Sequence, residues 1–555
     1  MPRLASRPAD VGQRFEVAAL VAVAALLVLV PILRLVETAV DEGASQYGAV
    51  LTAPGLGEAV RTSLLLGVVV TAVAVPLGMV TALALRQPQL PGRGFWRVAV
   101  LLPVLVPEFV LGYSWQQAYG RAGFTDTLLG VPFPGVVGPV GVVVVLVVNA
   151  VPIAYLLTAV GLAARAEPDL ERAARASGAG SLAVLRTVIL PLLRPSLAAA
   201  SVLVFVVTLA SFAVPQVLGA PAGVDTVTTR IYADLSLGAH PNSFVEAVTL
   251  ALLLVLLAVV VVAPADAVLG PRLRSVRVAD SGGSPVAVGR RSGGGWVALG
   301  LGSYLLVAVG VPLLALAGAS VTRAVGLPPA PDNWTGDHFS QLLDQRTFEA
   351  IGRSVGLAVV AASLLTVLGA AVAVLERRRA GRSLATLVTL TLVLPGSTLA
   401  VALLIAYGRW LSGLWLILLA YLAKLWAFAH RPISGALDRL PPGELHAARA
   451  SGATAVTAAR TVALRPLAPA LVAAWLVCFV TALHEVTMSA LLYGPGSETL
   501  AVVVLNSQEL GRIGPTAALS VLLTGLMAAA AAPLWLAFRR LGAASSSDRE
   551  LAGVR

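Results

Sequence analysis

The sequence predicts an all-α membrane protein of about twelve transmembrane helices, arranged as two homologous six-helix halves. Three observations carry that expectation. The 555 residues are 58% hydrophobic and 12% charged, with mean hydropathy +0.88, whereas soluble domains carry about 25% charged residues. The apolar residues come in blocks, and a helix needs about 20 consecutive ones to cross a bilayer. A seven-residue segment also occurs twice, 274 residues apart.

Six blocks precede the middle of the chain, at roughly 17–36, 62–85, 98–118, 138–163, 196–219 and 243–265. Six follow it, at roughly 296–320, 354–375, 384–407, 414–435, 469–492 and 514–538. Arg3, Arg7 and Arg14 before the first block resemble the charged end of a signal peptide. The apolar run behind them exceeds the usual 7–15 residues of such a segment, so it reads as a span.

With the N-terminus inside, 29 of 38 arginines fall on the inner side, among them Arg86, Arg93, Arg97, Arg272, Arg274, Arg277, Arg290, Arg291 and Arg377 to Arg379. The outward segments hold Glu37, Asp41, Glu42, Glu58, Asp332, Asp337 and Asp344 instead. Spans chosen by hydropathy alone thus satisfy the positive-inside rule, which predicts a multi-pass protein of the cell membrane with both termini cytoplasmic. Residues 271–295, rich in Gly, Ser and Arg, read as a flexible cytoplasmic linker. The expected division is a first half at 1–270, the linker at 271–295, a second half at 296–540 and a cytoplasmic tail at 541–555.

Composition also excludes functions. The net charge of +11 would suit nucleic acid only if the basic residues shared one soluble face, and here they sit between apolar blocks. Cys478 stands alone, so no intrachain disulfide or cysteine metal cluster can form. Lys424 is the single lysine and is flanked by Ala423 and Leu425. No Gly-Lys-Ser or Gly-Lys-Thr phosphate loop exists, and the chain is not expected to hydrolyse ATP.

The repeat is the most informative feature. Ala173-Ala174-Arg175-Ala176-Ser177-Gly178-Ala179 recurs as Ala447-Ala448-Arg449-Ala450-Ser451-Gly452-Ala453, each time between the fourth and fifth spans of a half. Arg186-Thr187-Val188, Leu190 and Pro195 recur at the same shift as Arg460-Thr461-Val462, Leu464 and Pro469. Pro168 and Asp169, or Pro442 and Glu444, suit a helix N-terminus, where a proline wastes no amide and an acid meets the positive dipole end. Gly178 and Gly452 suit a left-handed stop, and Ser181 and Thr454 are candidate caps for a second short helix. The expectation is an inward helix, turn and helix whose alanines let another backbone approach. One copy would pass for an ordinary connector; two at equivalent positions would not.

Leu170-Glu171-Arg172-Ala173-Ala174, Gly178 and Val188-Ile189-Leu190-Pro191 resemble the EAA motif of binding-protein-dependent ABC importer permeases. The glutamate position before the alanines holds Arg172 in the first copy, with Glu171 one place early, and His446 in the second, where the last proline is displaced to Leu464-Arg465-Pro466. The resemblance implies the type I importer fold. It also implies that Glu171, Ala173, Ala174, Gly178, Ala447, Ala448 and Gly452 form coupling helices. Those helices would dock on an ATP-binding cassette subunit present in two copies. An extracytoplasmic binding protein would deliver the substrate. The chain itself would carry no cofactor, ATP being used by the partner subunit.

The two-half arrangement further resembles the ferric-iron permeases and the similar thiamine and aminoethylphosphonate permeases, through Phe212 to Gly219 with Ile231-Tyr232, and through Glu485 to Ser489 with Tyr493 to Leu500. It implies ferric iron as substrate, with thiamine, aminoethylphosphonate or a polyamine as alternatives. Ion-coupled secondary carriers also have two six-span halves, but need no doubled docking loop.

Acids in apolar spans are the remaining candidates for chemistry. Glu108, Ser211 and Glu485 are the expected substrate-pathway residues, Ser211 matching Glu485 at the repeat shift. A hard cation prefers oxygen ligands, while structural pairing would serve Glu485 equally. His484 and Glu485 point about 100° apart on a helix and no His-Glu-x-x-His spacing occurs, so no resident metal is expected. Lys424, in span ten, is expected to snorkel toward the inner surface.

Overall fold

A computed structural model describes residues 9–41, 55–274 and 294–552, except 88, 134, 166–167, 239–241, 329, 343, 378, 441–442, 444–446, 449, 455–456, 458–460 and 463. Of the linker, 275–293 lies outside the described residues, as do His240, Ser284, Pro442, Glu444 and His446. Among the described residues the fold is helical, and ten helices are long and apolar enough to cross a bilayer.

All twelve expected spans have a helical counterpart, but two are not continuous. Span three is a bent pair, Arg93–Leu105 and Glu108–Leu129, turning by 94°. Span nine divides into Arg379–Leu390 and Gly396–Tyr407. The same residue type breaks both. Pro107 and Pro395 lack an amide and disfavour helical backbone in the residue before them, and each stands in extended backbone, with ψ of 136° and 140°, at the N-cap of the helix that follows. Spans five and eleven also end early, at Ala210 and Leu483, before the short segments that the apolar pattern had merged into them.

Contacts divide the chain into two compact units that do not follow the two halves of the sequence. One holds 1–41, 343–506 and 522–555; the other holds 42–342 and 507–521. The first span, Val17–Asp41, thus packs with spans eight to eleven, and the seventh, Gly294–Val321, packs with spans two to six.

A shared device seats each of these spans. A π-turn at Ala25–Leu29 precedes Pro31, and one at Leu306–Gly310 precedes Pro312. In the first, Val30 N–H bonds Ala25 O and Pro31 has no amide, so the Leu26 carbonyl has no backbone donor. Such a group must be satisfied within a membrane, and Tyr407 Oη donates to it at 2.6 Å. In the other unit Tyr119 Oη donates to Val307 O at 2.7 Å, and Trp115 Nε1 to Ala308 O at 3.0 Å.

Each unit is then closed by small residues. A Cβ on Gly78 would lie 2.5 Å from that of Ala154, and one on Gly369 would lie 2.8 Å from that of Ala429. Spans two and four, like eight and ten, therefore touch backbone to backbone. Tyr421 and Trp426 fill the core of one unit, Phe212, Ile231, Leu250 and Leu254 that of the other.

Candidate functional site

Helix Pro168–Ala176 stops at Gly178, whose φ is +87°, with Ala179 N–H bonding Ala174 O and Ser177 N–H bonding Ala173 O, both at 3.0 Å. In the second copy Gly452 has φ +88°, Ala453 N–H bonds Ala448 O at 3.1 Å and Ser451 N–H bonds Ala447 O at 2.9 Å. A positive φ with a six-to-one bond is the Schellman stop, which strongly favours glycine. Ala173 and Ala447 are exposed, Ala174 and Ala448 half-buried.

Three details differ from expectation. Ser181 is not the cap: Gly180 holds that position, while Thr454, its counterpart, does accept from Thr457 N–H at 3.2 Å. The second short helix is not separate, because it runs through a π-turn into span five as one helix, Ser181–Ala210. Glu171, expected as a coupling-helix residue, is held within the fold: it is 8% exposed and accepts from both terminal nitrogens of Arg86 at 3.2 Å. The pair ties the element to the loop after span two, putting two segments expected inside on one face.

The broken spans create the polar sites in the apolar region. Glu108 opens the helix after Pro107, and its two carboxylate oxygens accept from Asn149 Nδ2 at 2.9 Å and Ser211 Oγ at 3.0 Å. Ser211 ends span five, where its carbonyl accepts from Thr228 Oγ1 at 2.7 Å. Glu108 and Ser211, expected separately, therefore meet. Glu485 lies at the matching break of span eleven and caps the short helix after it: its carboxylate accepts Met488 N–H at 2.9 and 3.0 Å and Ser489 N–H at 3.1 Å. Lys424 does not snorkel. Its ammonium donates to the Leu394 carbonyl and, at 3.4 Å, to that of Leu392, groups freed where span nine breaks.

Asn149 escaped the sequence reading. Carrying the repeat through span four would have found it, since Ala154 matches Ala429, and Asn149 matches Lys424, at a shift of 275. Helix Val227–Ser236, between spans five and six, holds a second missed group. Arg230 bonds Glu246 at 2.9 Å and lies 3.7 Å from Asp234. Burial, reinforced by Glu246, pushes the Asp234 carboxyl up to about 7, against the opposing pull of Arg230. Among the described residues no three His, Cys, Asp or Glu side chains are grouped to hold a metal ion.

Fused helical halves with matched broken spans and matched glycine-stopped turns define a multi-pass membrane transport subunit. The chain belongs to the family described as binding-protein-dependent transport system inner membrane component, whose profile matches residues 74–275 and again 365–538. It is an ABC importer permease with both family domains in one polypeptide. It is similar to the "Probable ABC transporter permease protein y4fN" of Sinorhizobium fredii, 25% identical over 83% of this chain and 84% of that protein. It is also similar to the Fe(3+)-transport system permease protein FbpB 2 of Haemophilus influenzae, 22% identical over 92% and 97%. The putrescine transport system permease protein PotI of Escherichia coli is 28% identical over 35% of this chain and 73% of its own.

Proposed function

We propose that this permease imports ferric iron. An extracytoplasmic binding protein delivers the ion, and two copies of a separate ATP-binding subunit drive the two halves between outward and inward openings. The observation that carries the coupling mechanism is the pair of helix and turn elements ending at Gly178 and Gly452, with the same hydrogen bonds in both. Rigid elements with exposed alanines can transmit the closing motion of an attached subunit, and two of them suit two ATP-binding copies. Both termini and both elements face the cytoplasm in this reading, where ATP is.

The substrate rests on the ferric relative, whose match covers 92% of this chain and 97% of that protein. A polyamine is the second reading, favoured by the putrescine permease match over 35% of this chain. Uptake into proteoliposomes holding the permease, its ATP-binding subunit and its binding protein separates the readings. Radiolabelled ferric iron should accumulate only with ATP and binding protein together. Accumulation of putrescine instead would reassign the substrate. Uptake driven by an ion gradient without the ATP-binding subunit would remove the coupling mechanism altogether.

A further inference from the structure

The internal repeat allows the two intramembrane polar sites to be compared residue by residue. Asn149, Glu108 and Ser211 of one half correspond to Lys424, Gly396 and Glu485 of the other, the breaks at Pro107 and Pro395 fixing the register of the middle pair. The second site is answered by its own chain. Glu485 is held by the amides of Met488 and Ser489, and Lys424, though beyond ion-pair distance and bonded to the Leu394 carbonyl, acts on its charge from nearby. A Cβ at Gly396 would sit in ordinary van der Waals contact, 3.4 Å from Met488 Cγ and 3.7 Å from Thr487 Cγ2.

The first site inverts this arrangement. The acid has moved to the broken span, and the position of the lysine holds a neutral amide. Both Glu108 oxygens accept, and both donors, Asn149 and Ser211, are uncharged. Among the described residues no basic side chain lies within ion-pair distance of Glu108. Two neutral donors orient a carboxylate while leaving its charge and about half of its acceptor positions free. Acids inside membrane spans are rare and are retained where they pair or serve a pathway. Glu108 has no built-in counter-ion, yet it is positioned by three segments: the broken span, span four and the end of span five. It is half-buried rather than sealed.

Building on the permease reading above, we propose that Glu108 recognises positive charge on the substrate during passage, with Asn149 and Ser211 as its positioning residues. The substrate class is then a hard metal cation or an organic ammonium, and neutral sugars are excluded. Lys424 is the permanent counterpart of that transient cation, already fixed in the sister half.

The test uses the reconstituted complex of permease, ATP-binding subunit and binding protein, with ferric iron, putrescine and trehalose as probes. Glu108→Gln should lower the cation moved per ATP hydrolysed about tenfold, the loss of one charge-assisted contact. Asn149→Lys, which copies the sister half, discriminates. It should lower transport as far although Glu108 is present, while leaving the thermal midpoint of the protein at or above its starting value, because a structural acid gains from a counter-ion. The carboxylate infrared band seen in wild type minus Glu108→Gln should shift when the transported cation is added. Wild-type transport per ATP in Asn149→Lys, an unmoved carboxylate band, or wild-type uptake of trehalose and neither cation would each overturn the proposal. Stimulation of ATP hydrolysis by the binding protein in the unaltered complex reports separately on the permease mechanism, so the two readings can fail independently.

Discussion

Replacing Gly178 and Gly452 together with valine isolates the proposed coupling step. Their φ angles are +87° and +88°, and a Cβ at either meets nothing within 4 Å, so the perturbation is backbone strain without a clash. Left-handed backbone costs an L-residue roughly 1–2 kcal/mol, and β-branching puts valine at the upper end. The two turns have different hydrogen-bond partners, so the strains add to roughly 2–4 kcal/mol. The first turn is closed by three backbone bonds, Ser177 to Ala173, Gly178 to Arg175 and Ala179 to Ala174, and the bonds of the second include Ser451 to Ala447 and Ala453 to Ala448. At about 0.5–1.5 kcal/mol per bond, strain and closure are comparable, and relief comes from opening the turn rather than unfolding the spans. The double variant should insert normally and keep its thermal midpoint, yet lose transport-linked ATP hydrolysis. Single variants should be intermediate, and alanine should be milder than valine. The assay is binding-protein-stimulated ATP hydrolysis alongside uptake in proteoliposomes. Normal stimulated hydrolysis with normal uptake in the double valine variant would refute the coupling role.

Other consequences can be checked separately. Cysteines at Ser284 and Ser545 should resist impermeant thiol reagents in intact cells while one at Ser340 labels, the native Cys478 being buried and silent; labelling at Ser284 would overturn the inward linker. Ser63 Oγ accepts Val227 N–H at 2.9 Å and Ser354 Oγ accepts Leu500 N–H at 2.7 Å. Alanine at either serine should cost about 1–3 kcal/mol by stranding a buried amide, read as a lower thermal midpoint. The Asp234 carboxyl is raised in the folded state to about 7 from an ordinary 3.8. The fold therefore binds that proton more tightly than the unfolded chain does. Its charged form destabilises the fold above pH 7, and the penalty is relieved as pH falls from 7 toward 4. Asp234→Asn should remove this component from a plot of thermal midpoint against pH; an unchanged plot would contradict the assignment.

The sequence carried much of the fold because lipid makes the signal coarse. A segment that must hide its backbone from hydrocarbon becomes a helix of apolar residues, and each of the twelve blocks has a helical counterpart. Turn chemistry was equally legible at Gly178 and Gly452, where a backbone conformation that strongly favours glycine recurs in a repeated motif. The breaks were not resolved. Pro107 and Pro395 lie inside apolar runs, and hydropathy does not distinguish a proline that bends a helix from one that ends it. Lys424 was misread for the same reason, since the carbonyls it binds become available only once span nine divides.

By itself, then, the amino-acid order determined the helical class, the two-half repeat and the form of the two repeated turns, all consequences of local backbone chemistry and transfer into lipid. Only the tertiary structure decided which spans pack together, exchanging spans one and seven between the halves through the freed carbonyls of Leu26 and Val307 and the hydroxyls of Tyr407 and Tyr119. It also decided that Glu108 meets Asn149 and Ser211 while Glu485 caps a helix of its own. Such pairings depend on which unsatisfied polar group lies within hydrogen-bond reach of which donor, and residues 381 or 188 positions apart acquire that proximity only when the helices have packed.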